Sequence, residues 1–96
     1  KPLKVNVKHV NKGVSMKHLV VFKASWCGPC KALAMTMQDL PLPVAQIKTI
    51  DIDEDMEAAK EFAVRGVPTV LLMEDNQVLK RSSGAMTASQ LQEFCA

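Results

Sequence analysis

Several residue types that mark common protein classes are scarce or missing in this chain of 96 residues. It contains no tyrosine, one tryptophan and three phenylalanines, so aromatic side chains can form only a small part of any core. No apolar run approaches the roughly 20 residues of a membrane-spanning helix, and no signal peptide is visible. Twelve Lys and Arg against ten Asp and Glu give a formal charge of +2. This near balance predicts neither a nucleic-acid nor a membrane partner.

Cysteine is also scarce, with three residues in the chain. An odd number argues against the disulfide framework of a small secreted protein. Cys27 and Cys30 are separated by two residues, a spacing that suits redox or metal chemistry. We therefore expect a reducing compartment, the cytoplasm. A length of 96 residues, 48% of them hydrophobic, suffices for one compact domain (1–96) and not for two.

The hydrophobic pattern predicts strands that alternate with helices. Strands are expected at 3–8, 19–23, 45–51, 70–73 and 78–81, the last two joined by a turn at Asp75-Asn76 into an antiparallel hairpin. A first helix is expected at 29–39. A second is expected to begin at the acidic residues 53–55 and to end at a C-cap, Gly66. A third is expected to begin at a capping box of Thr87 with Gln90 and to end near Cys95. This order implies an α/β fold with a mixed sheet.

The connection between the first two predicted strands is short. Only about ten residues (9–18) join them, which barely suffices for a parallel crossover. We therefore expect the first helix to be reduced or absent. An antiparallel hairpin through 11–13 is the alternative.

Cys27 lies where a predicted strand meets a predicted helix. The run 19–22 is apolar and contains β-branched residues, so it is typical of a buried strand. Pro29 suits the first turn of a helix, where its missing N–H costs nothing. Unpaired N–H groups and the macrodipole at a helix N-terminus favour an anion. That anion would be a thiolate, which is the form that attacks disulfides.

A Cys-x-x-Cys pair taken alone could also be half of a zinc site. Zinc needs four ligands, and the other candidates, Cys95, His9 and His18, have no paired ligand spacing, so we expect no metal site. Cys95 fits the apolar face of the last predicted helix as a structural thiol. A regulatory or dimerising thiol is the alternative for it.

Two further segments suit the binding of an extended peptide. Pro68 directly precedes an apolar strand and supplies no N–H of its own. A cis peptide bond there would make a sharp turn that could lie against the Cys27 turn, with its neighbouring backbone groups free to pair with an incoming strand. Gly84, in the run Ser-Gly-Ala, permits the close approach of another chain.

Together these segments resemble the thioredoxin family. Residues 26–31, Trp-Cys-Gly-Pro-Cys-Lys, match that family's active site residue for residue. Residues 67–69 match its cis-proline loop, and 84–85 match its third substrate-binding loop. The similarity covers about 19–95 and implies a thioredoxin-like fold, with four to five strands flanked by three or four helices. It also implies a protein-disulfide reductase with no bound cofactor.

The resemblance implies a mechanism in which Cys27 attacks a substrate disulfide and Cys30 then resolves the mixed disulfide. It also assigns roles to the neighbouring residues. Tuning of the active-site turn and of the thiol pKa is expected from Trp26, Gly28, Pro29, Lys31, Lys23 and Asp53. Substrate binding is expected from Trp26, Ile52, Gly66, Val67, Pro68, Ser83, Gly84 and Ala85.

By the same resemblance, electrons would come from a flavin- and NADPH-dependent thioredoxin reductase. Substrates would be oxidised proteins such as ribonucleotide reductase, and the chain would act as a monomer. A glutaredoxin is one alternative, although Gly-Pro between the cysteines argues against it. The others are a disulfide oxidase or isomerase domain and a non-catalytic subunit of a larger assembly.

Two positions near the cysteines depart from the family's usual pattern. Val21 stands where a buried Asp usually serves the second cysteine, and Thr49 stands where a paired Lys usually lies. Lys48, beside Thr49, should point to the other face of the sheet. Cys30 is thus left without an obvious base, and we expect slower resolution of the mixed disulfide.

Lys23 is a further departure, because an aromatic residue is common at its position. Lys23 shares a strand face with Val21. It could approach the site or pair with Asp53, and a nearby ammonium group would lower the pKa of Cys27. The alternative is a solvated lysine at the end of a strand. For Asp53 itself we favour helix capping, with assistance in proton transfer as the alternative.

Overall fold

The structure, a computed structural model, describes residues 16–96. The elements in chain order are β1 (Lys17–Lys23), α1 (Gly28–Gln38), β2 (Gln46–Asp51), α2 (Met56–Glu61), β3 (Thr69–Glu74), β4 (Gln77–Ser83) and α3 (Ala88–Cys95). Each predicted element in this range is present, with strand ends that differ by one or two residues. The predicted strand at 3–8 and most of the connection after it lie outside the described residues.

The four strands form one mixed sheet in the order β2-β1-β3-β4. β1 and β2 are parallel, because α1 crosses between them, whereas β3 is antiparallel to both β1 and β4. In this register Val21 of β1 lies between Thr49 of β2 and Val70 of β3. The sheet and its three described helices confirm the predicted thioredoxin-like fold class.

Both faces of the sheet are covered, as the alternation of side chains along β1 requires. Leu19 and Val21 belong to a core cluster with Leu33 of α1 and Leu91 of α3. On the opposite face, Val20 and Phe22 pack with residues of α2 and the loop after it. The Phe22 ring is fully buried and lies 5.9 Å from the Phe62 ring, centroid to centroid. The site described below is therefore carried by strand ends that a two-sided core holds in place.

The helix starts follow local capping rules. Thr87 and Gln90 form a capping box at α3, in which each side chain accepts a backbone N–H of the other residue, as the sequence predicts. The N-cap of α2 is Asp55, whose carboxylate accepts the N–H of Ala58 at 3.1 Å. The expectation that Asp53 caps this helix is therefore wrong.

The predicted C-cap of α2 is also wrong. α2 ends at Phe62 rather than near Gly66, and Ala63 takes the left-handed conformation there, with φ = 53°. The guanidinium group of Arg81 donates to the carbonyl oxygens of Phe62 and Ala63, the second at 2.8 Å, so a side chain from β4 satisfies this helix end. The predicted turn at Asp75-Asn76 does join β3 to β4, and Asp75 has a positive φ of 58° there.

No helix in the range 16–96 is long and apolar enough to span a bilayer.

Candidate redox site

The dithiol lies where β1 gives way to α1. The N–H of Cys27 donates to the Ala24 carbonyl at 3.1 Å and closes the turn between the two elements. Cys27 is the N-cap of α1 with extended backbone angles, and Pro29 occupies the first helical turn, as the sequence predicts. Cys30 lies one turn into the helix, with its Cα 5.3 Å from that of Cys27, and the two sulfurs form a disulfide.

The helix start provides an electrostatic environment that favours a thiolate at Cys27. Cys27 Sγ accepts the backbone N–H of Cys30 at 3.1 Å. The first turn of α1 contains no acidic side chain, so no carboxylate of the helix itself opposes the positive end of its dipole. Both cysteines are about 5% exposed, and burial strengthens these interactions. When the disulfide is reduced, the same N–H can bind the anion.

The loop before β3 lies against the cysteines. Val67 and the side chain of Ile52 pack on the small cluster that Cys27 and Cys30 form with Ala24. The Val67 carbonyl oxygen is 3.6 Å from Cys27 Sγ, and the Val67–Pro68 peptide bond is cis. The fold therefore brings two segments about 40 residues apart in sequence into direct contact.

Gly84 joins the same region. Its N–H donates to the Pro68 carbonyl at 2.8 Å, and its φ of +93° lies in the region that favours glycine. The remaining residues that the sequence analysis associates with the site lie at its rim and are exposed to solvent. They are Gly28, Pro29, Lys31, Gly66, Ser83 and Ala85. The three segments identified from sequence are thus adjacent in space.

The loop after β2 supplies acidic partners that the sequence analysis assigned differently. Lys23 pairs with Asp51, Nζ to Oδ2, at 3.6 Å, and does not pair with Asp53. Asp53 instead accepts the indole N–H of Trp26 at 2.9 Å. The role of Asp51 was missed, although a parallel in-register pairing of β1 with β2 places Lys23 directly beside it.

Val21 and Thr49 line a cavity of about 190 Å³ between α1 and the sheet. Lys23, Ala34, Met37, Gln38 and Ile47 complete its lining. Ala34 follows Cys30 by four residues on α1, so the cavity lies one helical turn below that cysteine. Among residues 16–96, neither a carboxylate nor Lys48 belongs to its lining.

Cys95 is separate from this site. It is a free thiol, fully buried in the core beside Leu91. Burial raises the pKa of Cys95, and the charges of Lys17 and Lys80 lower it by less. Among residues 16–96 no group of His, Cys, Asp and Glu could hold a metal ion.

Comparison with known proteins agrees with the site. A model of the thioredoxin family matches residues 3–96. Thioredoxin of Bacillus subtilis is 37% identical over 79 residues, which cover 79% of this chain and 76% of that protein. Thioredoxin H-type 2 of Nicotiana tabacum is 34% identical over 82 residues, which cover 81% and 70%. A mutant thioredoxin from Halobacterium salinarum superposes with a TM-score of 0.77 at 31% identity, covering 84% of this chain and 73% of that one.

The family model matches nearly the whole chain, and the relatives above exceed 30% identity over more than two thirds of it. The chain belongs to the thioredoxin family, and its Cys27–Cys30 pair is the redox-active disulfide of a thioredoxin-type protein-disulfide reductase.

Proposed function

We propose that Cys27 is the attacking thiolate and Cys30 the resolving thiol of this reductase. The observation that carries the assignment is the hydrogen bond from the Cys30 N–H to Cys27 Sγ, 3.1 Å, at the N-cap of α1. An N–H aimed at one sulfur stabilises the anionic form of that sulfur and of no other. Cys30 lies within disulfide-bonding reach, so it can close the ring.

The reaction then has two balanced exchange steps. In the first, the Cys27 thiolate attacks one sulfur of the substrate disulfide, a Cys27–substrate bond forms, and one substrate thiolate leaves. In the second, Cys30 releases its proton to water and its thiolate attacks Cys27 Sγ. The Cys27–Cys30 bond forms, the Cys27–substrate bond breaks, and the second substrate thiolate leaves. The substrate gains two electrons and this protein loses two.

The loop at Val67 is the proposed seat for the substrate backbone. Within the described residues, the Val67 N–H donates to no backbone or side-chain group, and its carbonyl oxygen lies beside Cys27 Sγ. An extended peptide can pair with such groups as an added strand. Ile52, Pro68 and Gly84 would flank that peptide, and exposed Trp26 would cover it from the other side.

The partners follow from family membership. Thioredoxins are generally reduced by thioredoxin reductase and act on protein substrates. We extend this to the present chain: a flavin- and NADPH-dependent reductase supplies its electrons, and oxidised proteins such as ribonucleotide reductase receive them. We extend the proposal to a cytoplasmic, monomeric single domain (1–96), which the odd cysteine count and the length of the chain support.

Reduction of insulin by NADPH and thioredoxin reductase tests the assignment. We expect turnover with the natural chain, none with Cys27→Ser, and a trapped mixed disulfide with Cys30→Ser, visible as a covalent adduct by mass spectrometry. Cys95→Ala is the matched control and should remain active. If Cys30→Ser attacked insulin no better than Cys27→Ser does, the two roles would be wrongly assigned.

Two further measurements separate the alternatives. Glutathione should fail to reduce the Cys27–Cys30 disulfide, which a glutaredoxin would allow. Equilibration with a thiol–disulfide buffer should give a reducing potential near the roughly −270 mV known for thioredoxin itself. An oxidase or isomerase would equilibrate at least about 90 mV higher.

A further inference from the structure

Polar contacts run without a break from the end of β1 to the rim of the dithiol. Lys23 Nζ lies 3.6 Å from Asp51 Oδ2, and Asp51 Oδ1 accepts the backbone N–H of Asp53 at 2.8 Å. Asp53 Oδ2 in turn accepts the indole N–H of Trp26 at 2.9 Å. Lys23 and Trp26, the two ends of this chain of contacts, flank the turn that leads to Cys27. We call these four residues, Lys23, Asp51, Asp53 and Trp26, the rim network.

Asp51 organises the loop from which Asp53 reaches Trp26. Its carbonyl oxygen accepts the N–H groups of Glu54 and Asp55 at 3.1 and 2.9 Å, and one carboxylate oxygen accepts that of Asp53. The other carboxylate oxygen faces Lys23. The Asp51 side chain is 12% exposed, so its charge is largely removed from water and depends on a paired cation.

The same loop also contacts the dithiol. The N–H of Ile52 donates to the Lys23 carbonyl at 2.9 Å, and the Ile52 side chain packs against Cys27 and Cys30. Ile52 lies between Asp51 and Asp53, so the loop that contacts the dithiol is the one that holds two residues of the rim network. A shift of this loop relative to β1 would move the Asp53 carboxylate, and with it the hydrogen bond on the indole.

Apart from its hydrogen bond to Asp53, the Trp26 side chain makes few contacts that would fix its orientation. Its side chain is 67% exposed, so packing fixes the ring weakly, and the bond to Asp53 is its one hydrogen bond in the described part of the chain. A ring held in one orientation can meet a substrate without losing conformational freedom on binding. A ring that is free to rotate must lose that freedom when the complex forms.

We propose that Lys23 and Asp51 are positioning residues for substrate capture, because their ion pair fixes the loop that orients Trp26. The proposal depends on the proposed function in that the substrate is a protein disulfide. It assigns Lys23 an indirect role. Its ammonium group neutralises Asp51, rather than acting on the Cys27 sulfur.

The single tryptophan makes the positioning directly measurable. In the reduced protein, Lys23→Met and Asp51→Asn should each raise acrylamide quenching of Trp26 and lower its fluorescence anisotropy. Lys23→Arg, which keeps the charge, should restore the natural values. Lys48→Met and Glu54→Gln are matched controls, since neither side chain makes an ion pair or hydrogen bond within residues 16–96, and they should leave Trp26 unchanged.

The kinetic effect should fall on substrate capture. We expect KM for insulin to rise about two- to fivefold in Lys23→Met, a factor typical of one partly exposed ion pair, with kcat unchanged. In an Asp53→Ala background, where the link to Trp26 is already cut, Lys23→Met should add no further change. Circular dichroism and urea midpoints of all variants confirm that each one is folded at the assay temperature.

The outcomes separate this proposal from its rivals. Unchanged Trp26 quenching in both Lys23→Met and Asp51→Asn overturns it. So does an altered pH dependence of Cys27 alkylation in Lys23→Met with Trp26 unaffected, since Lys23 would then act directly on the thiol. A natural chain that reduces no insulin would refute the proposed function, while the quenching data would still decide the role of the rim network.

Discussion

Replacement of Val21 by aspartate tests what the departure at this position does to the protein. Val21 is 7% exposed and packs in the core cluster with Leu33 and Val70. It also lines the cavity of about 190 Å³ that lies one helical turn below Cys30. A carboxyl group placed here is buried, and it lies beside Thr49 and a cavity with room for water.

The expected loss of stability follows from burial. Removal of the valine side chain from the core costs about 1.5–3 kcal/mol, and burial of a carboxyl group with incomplete hydrogen bonding costs about 1–3 kcal/mol more. Val21→Asp should therefore lower the free energy of unfolding by about 2.5–6 kcal/mol, the low end applying where Thr49 and water satisfy the new group. Val21→Asn is the matched control without a titratable group.

The loss should depend on pH. Burial disfavours the carboxylate, so the pKa of the new aspartate should be higher in the folded chain than its value of about 3.9 in the unfolded chain. The penalty should therefore be smallest below pH 4 and grow as the pH rises through the folded value. Urea unfolding at pH 4 and pH 7 measures the difference, which should be absent in Val21→Asn.

The second expected effect is kinetic. A carboxylate in this cavity can accept the Cys30 proton through water, so release of insulin from the Cys27 mixed disulfide should be faster in Val21→Asp than in the natural chain. Single-turnover quenched-flow kinetics measures that step. Equal rates above pH 7 would refute the idea that a missing base limits resolution, and a loss of stability below 1 kcal/mol would refute the burial argument.

Three further predictions concern stability. Ala63→Gly should raise the free energy of unfolding by about 0.5–1 kcal/mol, since φ = 53° is strained for alanine, and should shift the urea midpoint upward. Arg81→Met should lower it by about 1 kcal/mol, because two carbonyl oxygens lose their donors; Arg81→Lys should recover part of the loss. Burial raises the pKa of Cys95, so its thiol stabilises the fold below about pH 8.5 and that contribution disappears as the pH rises through the folded value. The stability difference between the natural chain and Cys95→Ala should accordingly shrink above pH 9, and a constant difference would contradict the shift.

The features predicted correctly from sequence depend on residues close together in the chain. Cys27 becomes an N-cap because an apolar strand ends before it and Pro29 suits the first turn after it. The capping box of Thr87 with Gln90 likewise needs only its own four residues. Capping interactions of this kind depend on backbone geometry within one helical turn. They can therefore be predicted from the neighbouring residues in the sequence.

Two of the incorrect predictions concern groups whose partners lie far along the chain. Ala63 holds a left-handed conformation at a helix end that Arg81 satisfies from 18 residues away, so the glycine expected to end the helix is not used for it. Lys23 takes Asp51 as its partner because the parallel register sets the two side by side.

The sequence by itself determined the chemistry of this protein: two thiols at a fixed spacing on a helix N-terminus, and the family to which they belong. Tertiary structure decided how that chemistry is surrounded. Sheet pairing brings Val67 to Cys27 and Gly84 to Pro68, and it decides which acid neutralises Lys23 and which one accepts the indole N–H of Trp26. The physical reason is the distance along the chain over which each interaction acts. A helix start depends on the nearest few residues, whereas a contact between strands depends on a register that the whole core fixes.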